Sequence, residues 1–331
     1  IILQARITSK RLRNKVLKKI KGKTIIEIMI ERLKFSKFYK GLIIAIPKSK
    51  KNKKLYDFLR SKGLNVQTGD ENNVLRRYYS IAKKNKIKNI IRLTSDCPLI
   101  DYKIIDKVAN KFFKEKLDHV CTDKSFAEGL DCEIFSFQTL KKIFKKAKFN
   151  SEKEHVTLFI KNNLKMFKTD KVKNTQDHSN YRFTLDEKKD FQVIKKIINR
   201  FPSIIKNEYI SSEKIINFLR KNNQICKINS NITRNEGLLN SYKSEGLRIL
   251  FLTQLNKKIG TGNTVRLINY SNLLNQRKYL KNIFIKTDKK SSLKFFNLDK
   301  FKDIKFYLKG NFKNFKLNVI KYIVRNNIKI L

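Results

Sequence analysis

Short apolar runs alternate with longer stretches in which apolar residues recur every three or four positions, and the pattern holds over most of the chain. Residues 1–3, 42–46, 89–94 and 181–185 read as strands, being short, apolar and rich in β-branched or aromatic side chains. Residues 24–38, 73–84, 102–114 and 187–200 carry the helical period. In the first of these, Ile25, Ile28, Met29 and Leu33 share one face with Glu27 and Arg32 outside it, so that stripe reads as core. Alternation of this kind predicts an α/β fold, with a mostly parallel sheet and helices on both faces.

The alternation halts near Asn229. From there to Gly246 the chain is polar, holds Asn, Ser and Gly, and lacks an apolar period. The reading is a first domain over 1–231, a linker over 232–246 and a second, partial α/β lobe over 247–331. In that lobe strands are expected at 247–253, 283–286 and 304–307, a tight turn at Gly260-Thr261-Gly262, and helices at 263–277 and 312–325. No internal repeat relates the two parts.

Composition adds two constraints. Hydrophobic residues at 40% and aromatics at 11% suffice for packed cores and exclude a mainly disordered chain. Seventy-seven basic residues against 28 acidic give a formal charge of +49, and 61 of the basic residues are Lys. The Lys is spread along the whole chain beside abundant Ile and Asn and scarce Gly and Pro, the profile of an AT-rich genome. The charge therefore reads as solvated faces, not as a specific nucleic-acid site; a polyanion-binding scaffold is the alternative. Cys97, Cys121, Cys132 and Cys226 form no Cys-x-x-Cys pair and no metal-type set with the three His, as in a reduced, cytoplasmic chain. No apolar run approaches the roughly 18 residues of a membrane span. Both ends fall within apolar, strand-like runs, as expected of a fragment of a longer protein.

Candidate chemistry sits where strands end. After the first strand, Arg6, Lys10, Arg11, Arg13 and Lys15 surround Thr8 and Ser9, a set of donors and cations that suits a polyphosphate. The segment Arg92-Leu93-Thr94-Ser95-Asp96-Cys97-Pro98 delivers an Asp at a strand's tip, where one carboxylate can hold Mg²⁺; Asp101 is the better helix cap. Tyr181-Arg182-Phe183-Thr184-Leu185-Asp186 does the same before a helix, and an ordinary N-cap is the competing reading of Asp186. No Ser/His/Asp triad is evident.

Taken together, QARITSKRLRNKVL (4–17), RLTSDCPLID (92–101), EGLDCEIFSF (128–137), EKEHVTLFI (152–160) and YRFTLDEKKDF (181–191) resemble the cytidylyltransferases of the spore-coat polysaccharide type, relatives of CMP-sialic acid and CMP-Kdo synthetases. The resemblance implies a Rossmann-like nucleotidyltransferase that couples CTP to an acidic, nonulosonic-type sugar and releases pyrophosphate, for surface polysaccharide or glycan synthesis. It places Leu3, Gln4 and Ala5 beside the nucleoside, Arg6, Ser9, Arg11 and Lys15 on the phosphates, and Asp96 and Asp186 on Mg²⁺. Arg6, Lys15, Asp96 and Asp186 are thereby the catalytic candidates. Asp131 and Glu133 are candidate acceptors for sugar hydroxyls, or else belong to a turn and short strand with both carboxylates solvated. His155, expected near the start of a helix, either touches substrate or packs. Residues 69–79 match the family's acidic GxxxDVLDRY stretch in part: Asn73 and Arg76 stand where carboxylates are usual, while Arg77 keeps its place toward base or phosphate. Relatives of this type often pair as homodimers, though no stripe in the sequence marks an interface. A different nucleotide or sugar phosphate is the rival substrate set.

The second lobe resembles the strand–GxGHxxR–helix opening of the UDP-sugar hydrolase of pseudaminic acid biosynthesis, through Leu250-Phe251-Leu252 and Ile259 to Arg266. Asn263 stands where that family has its catalytic His, and Asn is no base near neutral pH, so hydrolase activity is not expected.

Overall fold

The computed structural model describes residues 1–9, 11–238 and 241, and the backbone of three further strands at 248–255, 280–287 and 304–308. The Gly260–Gly262 turn, Asn263 and the helices expected at 263–277 and 312–325 lie outside the described residues. The chain divides into two compact units, 1–236 and 237–331.

The strands of the first unit are β1 (Ile2–Gln4), β2 (Lys19–Ile20), β3 (Lys23–Thr24), β4 (Ile43–Pro47), β5 (Val66–Gly69), β6 (Asn89–Thr94), β7 (His119–Thr122), β8 (Glu133–Ser136) and β9 (Thr169–Val172). Its helices are α1 (Ile25–Leu33), α2 (Lys53–Ser61), α3 (Val74–Lys84), α4 (Tyr102–Lys114), α5 (Phe137–Lys146), the short α6 (Asn150–Glu154) and α7 (Leu158–Asn162), then α8 (Lys188–Arg200), α9 (Ser212–Lys221) and α10 (Asn223–Lys227). Seven strands form one sheet in the order β5-β4-β1-β6-β8-β7-β9. All its pairings are parallel except those of β8, which runs against both neighbours. β2 and β3 form a separate antiparallel ribbon.

Successive strand residues point to opposite faces, and the two apolar clusters follow that rule. Leu3, Ile44, Ile46 and Leu93 pack on one side with α1, α4 and α8. Ile2, Ile43, Ala45, Ile90 and Phe135 pack on the other with α3 and α5. Because both faces are covered, β4 is buried at all five positions, as its unbroken apolar run requires.

Caps set the helix starts. Thr24 accepts from the Glu27 N–H while Glu27 reaches back to the Thr24 N–H, so α1 begins at Ile25, and it ends at Leu33, well short of the expected 38. Asn73 caps α3 and Asp101 caps α4. The expected strand at 181–185 is absent from the sheet. There the chain crosses the C-terminal edge, with Phe183 N donating to Glu128 O (2.6 Å) and Leu185 N to Asp96 O (2.7 Å), and a single bridge joins Glu128 and Arg182. Gly129 makes this crossing feasible. Its φ is +96°, and a Cβ there would lie 2.5 Å from Thr184 N.

In the second unit, β10 (Arg248–Leu255), β11 (Leu280–Thr287) and β12 (Ile304–Leu308) form a parallel three-stranded sheet in that order.

Candidate active site

β1 ends at Gln4, and the chain then leaves the sheet in a loop. Leu3 and Ala5 are buried, so both offer a ligand only backbone, whereas Arg6 turns out to solvent. The loop is tied by Ile7 N to Asn52 Oδ1 (3.0 Å), Leu12 N to Ser9 Oγ (3.4 Å) and Asn14 N to Ile7 O (3.3 Å). Asn14 adopts φ 53°, a left-handed conformation that Asn tolerates better than most residues, and the following turn, Lys15–Leu17, carries Lys15 inward.

Lys15 Nζ lies 2.8 Å from Asp96 Oδ2 and 2.8 Å from Asp186 Oδ1. Two carboxylates 90 residues apart in sequence thus meet on one buried cation. Asp96 arrives there because Ser95 N donates to Gln4 O, carrying the β1–β6 ladder beyond the strand ends. Asp186 arrives on the crossing segment, flanked by Arg11 Nη2 and Arg182 Nη2, each at 3.2 Å. Burial opposes the charge on Asp96, but attraction and hydrogen bonding from Lys15 prevail and hold its carboxyl well below the usual range. Burial likewise opposes the charge on Lys15, and its two carboxylates outweigh it and raise its pKa. The Cys97 thiol, 3.6 Å from Asp96 Oδ1, is pushed well above its ordinary value, first by burial and then by that neighbour, so it is no nucleophile near neutral pH.

Arg11, Lys15, Asp96 and Asp186 therefore form one contiguous group. Arg6, exposed and 3.9 Å from Glu154, makes no contact with this group among the described residues. Arg77 does not join it: the side chain is buried, donating to the Asp70 and Glu71 carbonyls, and it braces the 69–73 loop. Glu133 is buried as well. Its carboxylate is the counter-ion of Arg92 and also meets His119 Nε2 (3.3 Å) and the Thr157 hydroxyl (2.8 Å). Gln4 Oε1 accepts from the same Arg92 at 3.3 Å. Asp131, by contrast, is half exposed and accepts from Gly129 N and Arg234. His155 does not open a helix; it follows the last turn of α6 as its C-cap, where burial, with Arg92, Lys161 and Arg6 nearby, lowers its pKa despite Glu154.

The sequence reading overlooked the supports of Asp186. Asp190, fully buried, accepts from Arg182 Nε (2.9 Å) and from the backbone N–H groups of Asp186 and Glu187 (2.9 Å each). Glu187, not Asp186, is the N-cap of α8, which leaves the Asp186 carboxylate to face Lys15. The spacing of Glu187 and Asp190 was the available signal, since a cap and a carboxylate three residues on form a capping box.

A half-buried pair of hard oxygen donors around a shared buried cation, at the C-terminal edge of a mostly parallel sheet, is an arrangement for binding a charged ligand. Among the described residues, no three His, Cys, Asp or Glu side chains cluster as a metal cage. The sequence pattern of the Cytidylyltransferase family matches residues 1–248. The chain belongs to that family.

This cytidylyltransferase is 38% identical over 233 residues to the protein MJ1063 of Methanocaldococcus jannaschii, covering 70% of the chain and 94% of the relative. It is 27% identical over 228 residues to the spore coat polysaccharide biosynthesis protein SpsF of Bacillus subtilis, covering 67% and 93%. The solved structure of a cytidylyltransferase from Leptospira borgpetersenii superimposes with a TM-score of 0.63 at 31% identity, covering 70% of this chain and 96% of that one. The family match and the Leptospira structure make the enzyme a nucleotidyltransferase by kinship, and the matched residues 1–248 include Asp96 and Asp186. No helix of the described residues is long and apolar enough to cross a membrane.

Proposed function

We propose that this cytidylyltransferase transfers CMP from CTP to a hydroxyl of an acidic, nonulosonic-type sugar. The observation that carries the reading is the meeting of Asp96 and Asp186 on Lys15, with Arg11 alongside. In-line transfer needs positioning and charge neutralisation more than a covalent nucleophile. The sugar oxygen attacks the α-phosphorus, the bond to the β-phosphoryl oxygen breaks, pyrophosphate departs with that electron pair, and the hydroxyl proton passes to solvent. Arg6, Ser9, Arg11 and Lys15 bind the phosphate oxygens and balance their charge. Asp96 and Asp186 would hold Mg²⁺. With Lys15 turned to the phosphate, the two carboxylates it now bridges, plus phosphate and water oxygens, would make a suitable Mg²⁺ shell. When bound, the metal supplies electrostatic stabilisation at the α-phosphate.

The named role of SpsF in spore coat polysaccharide biosynthesis supports an activated sugar destined for a surface glycan. A cytoplasmic location, where CTP is made, belongs to the same reading. The test is pyrophosphate release by the purified chain with Mg²⁺ and each of CTP, UTP, ATP and GTP, against nonulosonic acids and sugar phosphates. Release with CTP and one acidic sugar is expected; release with another nucleotide alone would replace this reading.

A further inference from the structure

Residues 234–236 lie in the stretch that reads as linker in the sequence, yet each is bound to the rim of the site. Arg234 donates to the carbonyls of Lys124 (3.1 Å) and Phe126 (3.0 Å) and to Asp131 Oδ1 (3.0 Å). Asn235, in a left-handed conformation at φ 58°, donates its N–H to Glu128 Oε1 at 3.1 Å. Glu236 ion-pairs with Arg11 Nη1, on the side of the guanidinium away from the Asp186 contact made by Nη2. Glu187 approaches the same Nη1 at 3.9 Å, so three carboxylates surround Arg11.

We infer that residues 234–236 form a strap across the phosphate-binding edge, latched by Glu236 on Arg11 and displaced by the polyphosphate of the incoming nucleotide. The inference rests on the role given to Arg11 in the preceding section. A phosphate oxygen and the Glu236 carboxylate compete for one guanidinium edge, and two anions there repel. The latch is also the weak end of the strap. Arg11 and Glu236 retain 31% and 36% side-chain exposure, so solvent screens their pairing. Arg234, with three hydrogen bonds, is the fixed end. A ligand must bring enough negative charge to outbid Glu236, which favours a triphosphate over a monophosphate, and departure of pyrophosphate lets the strap close again.

The test uses inorganic tripolyphosphate, which carries the charge of CTP without its base. Glu236→Gln should bind it about two- to fivefold more tightly, the equivalent of one partly exposed ion pair. Asp57→Asn, which removes an exposed carboxylate on α2, should leave the affinity unchanged. Hydrogen exchange of the 233–237 backbone should be faster in ligand-free Glu236→Gln than in the parent chain. Saturating tripolyphosphate should speed the same segment in the parent chain. Equal or weaker tripolyphosphate binding by Glu236→Gln, or strap exchange that slows or stays constant on ligand addition, overturns the inference. CTP is titrated alongside. If CTP binds no better than ATP while the tripolyphosphate results hold, the cytidylyl reading fails and the strap stands.

Discussion

Lys15 is charged, buried and held by two acids, and its removal tests the site most directly. Lys15→Met takes from Asp96 its counter-ion while Asp186 keeps Arg11 and Arg182, so the Asp96 carboxyl should rise toward or above the ordinary range. Turnover, followed by pyrophosphate release, should fall about 10²–10³-fold, the usual effect of losing one donor to a transition-state phosphate. Asp96→Asn keeps the shape and removes the charge. Metal-dependent turnover should vanish, and calorimetry should show weakened Mg²⁺ binding in the presence of CTP; unchanged turnover would take Asp96 out of the site. The grouping of Arg11, Lys15, Asp96 and Asp186 was legible in the sequence because each lies at a fixed place in a motif just past an apolar run. The burial of Arg77 and Glu133 was not legible by the same reasoning. Their partners, the Asp70 and Glu71 carbonyls and Arg92, are set by tertiary packing, and local spacing does not reveal which way a charged side chain turns.

At the scale of elements, β6 and β8 are joined under the site by Arg92 and Glu133 on neighbouring strands. Burial opposes the charge on Glu133, but Arg92 and the His119 hydrogen bond hold its carboxyl well below the ordinary value. Stability from this group is therefore present above the unfolded value of about 4.3 and is lost as pH falls toward the folded value. Glu133→Ala strands a buried guanidinium and should cost about 3–5 kcal/mol in urea unfolding at neutral pH. Its unfolding midpoint should also vary less between pH 5 and pH 3 than that of the parent chain. Gly129→Ala should destabilise through both its φ and its contact with Thr184, and should impair turnover by shifting the segment that carries Asp186. β4 matches the sequence expectation because a doubly buried strand reads as an unbroken apolar run, and β6 matches through buried Ile90, Ile91 and Leu93 despite the polar Arg92 between them. β9 was missed: Thr-Asp-Lys-Val has one buried residue and no period. The reversal of β8 depends on which strands flank it, and that is not written in its four residues.

Across the molecule, the +49 charge comes from both units, and in the first it is displayed by exposed lysines such as Lys53, Lys54, Lys141 and Lys145. Their spread on helix faces accords with solvated charge and supplies no single groove. Binding to a nonspecific polyanion such as heparin should therefore weaken steeply with added salt, since it rests on counter-ion release. CTP binding, which engages a few cations at one site with Lys15 buried among them, should depend on salt less steeply, and the two titrations can be compared on one sample.

Among the described residues, Lys15 alone of the lysines is buried. Amine chemistry can therefore tell the centre from the coat. Formaldehyde and a borane reductant dimethylate the free-base form of an accessible amine, and Lys15 is both enclosed and locked in its protonated form by two acids. Peptide mass mapping after mild treatment should find the surface lysines alkylated and Lys15 untouched, with its labelling appearing only once the fold is opened by denaturant.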